Sequence, residues 1–403
     1  AGRIVWFYLG KLVWPANLIF IYPRWSIDPA AATAWLYSLA ALALLGIAWL
    51  GRRRSRAPLA ALLFFLGSLF PVMGFMNVYG FMFSYVADHW QYLPCIGPLA
   101  LAGAALTRLA EACRPVARSA LHAGCGVLLL VYGVLTWRLC EPYRDIETFY
   151  RTTLAKNPDS WMSHTNLALL LMDSGQTSEA ISHLETAFRL RPGSAEIANN
   201  LGVALRKSGQ PIAAAEWFRT ALRLHADHPE AAYNLGISLL AAGDAKEAKT
   251  QFERAVNVRP TYAAARNQLG TLLLVERDLA GAQAQFEAAL KTEPGFAEAE
   301  HNLALTLIAR DRRAEAIQHL EAALRHDTAR QESRWMLAVM LVTEKRATEA
   351  IRHLRDLLAT QPAHADAHLL LAQLLSETGD SAGALQHGRE GQRLKREQAE
   401  PKK

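Results

Sequence analysis

Tyr233-Asn234-Leu235-Gly236 opens a stretch, running to Pro260, that the chain repeats. Steps of 34 residues from Leu235 return Leu167, Leu201, Leu269, Leu303, Leu337 and Leu371. The same step from Ala248 returns Ala180, Ala214, Ala282, Ala316, Ala350 and Ala384, and from Leu239 it returns Leu171, Leu205, Leu273, Leu307, Leu341 and Leu375. Three columns in register over seven copies exclude coincidence. Within one copy, Leu235, Leu239 and Leu240 share a face at helical spacing. Gly243-Asp244 interrupts that helix with a stop glycine and a capping acid. Ala248, Phe252 and Ala255 form the stripe of a second helix, which Pro260 ends. The chain thus predicts stacked helix pairs in an all-α fold.

A second column is uniformly small: Ala168, Gly202, Gly236, Gly270, Ala304, Ala338 and Ala372. Close approach of the two helix backbones is the expected reason, with Phe252 filling the space behind. A 34-residue period with small residues at fixed places resembles the tetratricopeptide repeat. The resemblance implies an α-solenoid of about seven helix pairs over residues 161–391, each burying its apolar stripe against its neighbours. Ile146, Tyr150, Thr153 and Pro158 fall on second-helix columns, so residues 141–160 read as a junction and half-repeat with almost no linker. Toward the other end Leu357 replaces an alanine, Gly388 and Gly391 replace an aromatic and an alanine, and a polar basic tail occupies residues 392–403. That decay is how a capping end looks.

The composition is 51% apolar and 20% charged, and the apolar excess lies before residue 140. Ala31–Leu50 is a run of 20 residues without a charge, enough for a hydrocarbon core of about 30 Å. Leu59–Tyr79, Leu93–Leu106 and Ala120–Leu139 follow it. Ile4–Tyr22, interrupted by Lys11, Pro15 and Asn17, reads as a broken or interfacial segment; its other reading, a signal peptide, lacks a basic start. Residues 1–140 are therefore expected to form a polytopic membrane domain of about five segments. Arg52-Arg53-Arg54, Arg56, Arg108, Arg114 and Arg118 mark two cytoplasmic loops, whereas the loop Asn77–Trp90 has no Lys or Arg. This arrangement puts the repeats on the non-cytoplasmic side, periplasmic or lumenal.

The net charge of +6 follows largely from those loops and the Lys402-Lys403 tail. No basic stripe interleaved with aromatics is present, which argues against a nucleic-acid partner. Cys95, Cys113, Cys125 and Cys140 all lie in or beside the membrane block, and their spacing offers neither a disulfide framework nor a zinc site.

One repeat column is polar where scaffolding does not demand it: Asn166, Asn200, Asn234, Gln268 and Asn302, then Met336 and Leu370. An amide offers a donor and an acceptor, so a ladder of them can grip a peptide backbone whatever its sequence. The repeat arrays of O-GlcNAc transferases look similar here, which implies a protein or peptide partner in the inner groove. The plainer reading is that asparagine is common at this position. His364 and His368 stand four apart on a helix, but no third ligand accompanies them, so no metal site is assigned. Asp88-His89-Trp90-Gln91-Tyr92 lies where the outer loop re-enters the bilayer, and Arg24-Trp25 lies in the other outer loop. Arg24, Asp88, His89 and Tyr92 suit a lipid-phosphate pocket; an aromatic belt with a polar loop is the alternative.

The runs FYLGKLVWPANLIFIYPRW (Phe7–Trp25) and FSYVADHWQYLPCIGPLAL (Phe83–Leu101) resemble the later membrane segments of polytopic glycosyltransferases of the C-type fold that end in such repeats. Bacterial membrane proteins and the eukaryotic transmembrane-and-TPR protein O-mannosyltransferases make up that group. The resemblance implies transfer of a sugar from a polyprenyl-phosphate donor to a protein on the outer face, with membrane lipid as a second partner. No cofactor is otherwise evident. In that fold the catalytic acid follows the first span, and about five segments are too few. Residues 1–403 are therefore expected to be the C-terminal part of a longer protein. A non-enzymatic, membrane-anchored repeat scaffold for envelope assembly or export is the competing expectation.

Overall fold

The computed structural model describes residues 2–15, 18, 19, 21–23, 25, 28, 31–72 and 92–399. All regular structure among them is helical. The chain divides into two units, Ala1–Ser208 and Gly209–Lys403.

The first unit begins with α1 (Gly2–Val13), α2 (Ala32–Gly51), α3 (Ala57–Leu69), α4 (Ile96–Ala112) and α5 (Pro115–Cys140). Ile4, Val5 and Tyr8 of α1 bury against Phe65 and Leu69 of α3 in a small core. α5 buries no residue; Leu129, Leu130 and Trp137 stand well exposed. Together with the short turn after it, Pro115–Tyr143 is long and apolar enough to cross a membrane, whereas Trp35–Gly51 and Ala57–Val72 are apolar but shorter. One of the five expected segments thus reaches spanning length among the described residues. Part of Leu59–Tyr79 and all of Phe83–Trp90 lie outside them.

α6 (Ile146–Lys156) follows α5 after a single 3-10 turn and packs on α7 (Trp161–Asp173). Asp145 caps α6 by accepting from the Thr148 N–H at 2.8 Å. Three side chains then fasten the end of α1 and the stretch after it to α5 and this junction. Tyr132 Oη donates to Val13 O (2.8 Å), Lys156 Nζ to Leu18 O (3.0 Å) and the buried Asn157 Nδ2 to Ile21 O (3.0 Å). α8 (Thr177–Leu190) and α9 (Ala195–Lys207) complete the unit.

The second unit is α10 (Pro211–Leu224), then the pairs α11–α12 (Pro229–Ala241, Ala245–Val258) and α13–α14 (Ala263–Val275, Leu279–Thr292). After them come α15–α16 (Ala297–Ala309, Arg313–His326), α17–α18 (Gln331–Thr343, Ala347–Thr360) and α19–α20 (Ala365–Glu377, Ser381–Ala399). The three repeating columns of the sequence form its core: Leu303, Leu337 and Leu371, with Ala282, Ala316 and Ala350, are essentially buried. Each first helix ends in a left-handed residue. Gly243 has φ +86° there, and the Asp244 N–H reaches back to Leu239 O at 2.9 Å in the Schellman manner. Arg277, Asp311 and Lys345 adopt the same geometry, at φ 66°, 58° and 58°.

The small column has a different cause from the one expected. A Cβ on Gly236 would meet the ring of Phe252 at 2.6 Å, and one on Gly270 the ring of Phe286 at 2.7 Å. The helix backbones do not set the limit; the aromatic ring of the second helix does. The chain end also differs. α20 continues as helix through residues 392–399, where the sequence reads as tail. Leu394 is buried and Lys395 pairs with Asp366 at 2.8 Å.

Candidate protein-binding face

In the second unit the first helices α13 and α15 touch each other directly, and the amide column runs along this layer. Asn302 Nδ2 donates to Asn267 Oδ1 (3.0 Å), with Thr271 Oγ1 at 3.4 Å. Asn267, fully buried, donates in turn to Glu298 Oε1 at 3.0 Å. Within the first unit, Asn166 Nδ2 donates to the Tyr150 hydroxyl at 3.0 Å. Asn166 and Asn302 therefore have their N–H groups engaged inside the fold, which ties neighbouring helices together. Asn200 and Gln268 are half-buried and have no side-chain hydrogen bond among the described residues. Asn234 is half-buried too. Three residues on from each amide, on the same face, stand Leu169, Val203, Ile237, Thr271 and Leu305. Four of these rungs set an amide beside an aliphatic neighbour, and the Gln268 rung sets it beside Thr271; an amide can bond a peptide group, and an aliphatic side chain can cover another.

Sequence reasoning missed two features around this face. The column one residue before the amides is also polar in four copies, and Thr165, Asn199, Asn267 and His301 are buried. His301 Nδ1 lies 2.9 Å from Ser333 Oγ. Nineteen residues separate a second set of partners: His164 with His183, Arg266 with Gln285, Glu300 with His319, His368 with His387. A scan of every 34-residue column for recurring polar residues reveals both, because burial inside a helix pair makes such recurrence costly unless the groups are bonded.

Tyr92 is 69% exposed and borders a cavity of about 210 Å³ beside Leu18, Ile19, Leu139, Phe149 and Lys156. Arg24, Asp88 and His89 lie outside the described residues. His364 stacks on Trp335 and accepts the Ala367 N–H at 3.1 Å as the N-cap of α19, while His368 faces His387. Among the described residues no cluster of three or more His, Cys, Asp or Glu could hold a metal.

Comparison with known proteins places the repeats. One tetratricopeptide repeat family matches residues 165–232, 267–330 and 301–356, and another matches 205–269 and 341–392. Protein O-mannosyl-transferase TMTC1 of Mus musculus is 27% identical over 200 residues, which cover 48% of this chain and 21% of that protein. Protein O-mannosyl-transferase Tmtc2 of Drosophila melanogaster is 30% identical over 127 residues, 32% of this chain and 13% of that protein. The chain spans about a fifth of the length of the curated relatives it matches. Among solved structures, YrrB, described as a TPR protein with an unusual peptide-binding site, has a TM-score of 0.39 at 25% identity, covering 49% of this chain and 97% of its own. PilF of Pseudomonas aeruginosa has a TM-score of 0.48 at 20% identity, covering 54% and 97%. Residues 165–392 of this chain carry tetratricopeptide repeats.

Proposed function

We propose that this chain is the membrane-attached, acceptor-recognising part of a protein O-glycosyltransferase that uses a lipid-linked sugar. The repeats bind the acceptor protein on the non-cytoplasmic side, and Arg24, Asp88, His89 and Tyr92 contribute to the pocket for the polyprenyl-phosphate head of the donor. The observation that carries this reading is that Asn200 in the first unit, beside the aliphatic Val203, and Gln268 in the second, beside Thr271, lie half-exposed on first helices with no side-chain partner among the described residues. Such groups serve an extended backbone and have no structural work inside the fold. Partial sequence similarity over the repeats to two protein O-mannosyl-transferases, and a helix of spanning length just before the repeats, are what support the enzymatic half of the reading.

Two measurements test the two halves. Replacing Asn200 and Gln268 by alanine should weaken binding of an unfolded acceptor polypeptide about five- to tenfold, at roughly 0.5–0.7 kcal/mol for each of the two lost hydrogen bonds. Unchanged affinity removes the amide face from the reading. In the full-length protein, Asp88→Asn with His89→Gln should abolish sugar transfer while leaving acceptor binding intact. Full transfer by that variant would return the chain to a membrane-anchored scaffold.

A further inference from the structure

The first and last repeats each contain a pair of histidine rings bonded to one another. His164 Nδ1 and His183 Nδ1 lie 2.8 Å apart, joining α7 to α8; His368 Nδ1 and His387 Nδ1 lie 2.9 Å apart, joining α19 to α20. In both pairs the Nε2 of the first ring faces a backbone carbonyl, Pro158 O at 2.9 Å and Pro362 O at 3.0 Å. A carbonyl only accepts, so each Nε2 carries the hydrogen. In the neutral ring the Nδ1 of His164 or His368 is then the acceptor, and the partner ring donates. That assignment leaves room for one added proton per pair, on the outer Nε2 of His183 or His387. A second proton would set two N–H groups point to point across less than 3 Å.

We propose that these two histidine pairs are proton-sensitive clasps that hold the terminal repeats closed near neutrality and release them in acid. Release takes protons from solvent: the first settles on the outer Nε2 and puts a charge into the partly buried pair, and a second leaves no acceptor between the two rings, which breaks the N–H···N bond between the helices. The surroundings favour the neutral pair. Burial holds the His164 imidazole below its usual range, with His183 and Arg189 adding to the effect, and burial likewise lowers His183. His387 is lowered by burial, then by His368 and Arg355. Opposing charges are present too: Asp159 beside His164; Glu179, 3.7 Å from His183 Nε2 and itself held by Arg151; and Asp380 and Glu390 around the second pair. Because the lowered rings take up protons more readily when unfolded, the stabilisation is complete above the ordinary histidine value of 6.5 and fades as pH falls below it.

The fourth repeat supplies an internal control. There the same two columns hold Arg266 and Gln285, bonded at 2.8 Å, with Arg266 Nε donating to Pro260 O at 2.6 Å. This is the same clasp built from groups that do not titrate between pH 5 and 8. Hydrogen exchange on the full chain in lipid nanodiscs, corrected for intrinsic rates, tests the proposal. Between pH 7.5 and pH 5, protection of α7–α8 and α19–α20 should drop about tenfold or more, the effect of one pKa unit, while α13–α14 changes by less than about threefold. In His183→Gln with His387→Gln the loss should vanish, because an amide can donate to a neutral ring or accept from a charged one. Glutamine already stands at this column as Gln251 and Gln285, so the variant is compatible with the repeat. A uniform loss of protection in all repeats, or acid opening retained by the glutamine variant, overturns the proposal.

Discussion

Asn267 shows what a single residue does in this fold. It is fully buried, accepts from Asn302 and donates to Glu298, so one side chain bridges two successive first helices. Its neighbour Gln268 has the same chemistry and no internal partner among the described residues. One position along a helix thus separates an amide bonded inside the fold from one with no internal side-chain partner among the described residues. Asn267→Ala should destabilise the chain by about 2 kcal/mol, since it takes the partner from the half-buried Glu298 carboxylate, leaves Asn302 only its longer contact with Thr271 and empties a fully buried position, and chemical denaturation of the detergent-solubilised protein measures this. Gln268→Ala should fall within about 0.5 kcal/mol of the parent. The sequence disclosed that amides recur at this place. It did not disclose which N–H groups the fold uses, because that depends on what α6 and the preceding first helix bring within 3 Å: Tyr150 for Asn166, Asn267 for Asn302.

At the scale of the helix pair, the packing rule is a matched choice of sizes. Gly236 and Gly270 face Phe252 and Phe286 within their pairs, and the columns continue as Ala304 with Leu320 and Ala338 with Leu354. Glycine accompanies phenylalanine, and alanine accompanies leucine. Gly236→Ala gains up to about 1 kcal/mol of helix propensity, but its Cβ would drive into a ring with no exposed surface, an overpacking cost of about 1–3 kcal/mol. The clash should win, leaving a net loss of about 1–2 kcal/mol. Adding Phe252→Leu recreates the pairing of the fifth repeat and should recover most of that loss in a double-mutant cycle; simple additivity would refute the matched-size explanation. Period, helix pairing and the apolar columns were all legible in the sequence because each recurs. The matched sizes were legible only as two columns read together, and Arg277, Asp311 and Lys345 at left-handed turns were hidden, since glycine stands at that position in the other copies.

For the whole molecule the sequence was most informative where structure repeats, and least where it does not. The repeats were assigned residue by residue, whereas the membrane block rested on apolar length alone, and only Pro115–Tyr143 meets that length among the described residues. If α5 crosses the bilayer with its arginine-flanked start in the cytoplasm, the chain should resist carbonate extraction, and protease added to the outer face should degrade the repeats. Intact repeats under those conditions would reverse the orientation.

The three hydrogen bonds from Tyr132, Lys156 and Asn157 to the carbonyls of Val13, Leu18 and Ile21 carry a mechanical consequence. Two of them leave the end of α6 and the third leaves α5, so a tug on α6 is borne by the segment after α1 as well as by α5. Backbone carbonyls are the anchors, which makes the brace indifferent to the side chains at those three positions. Tension on α6 would therefore load two elements at once, and the junction would behave as a stiff bracket, not as a swivel.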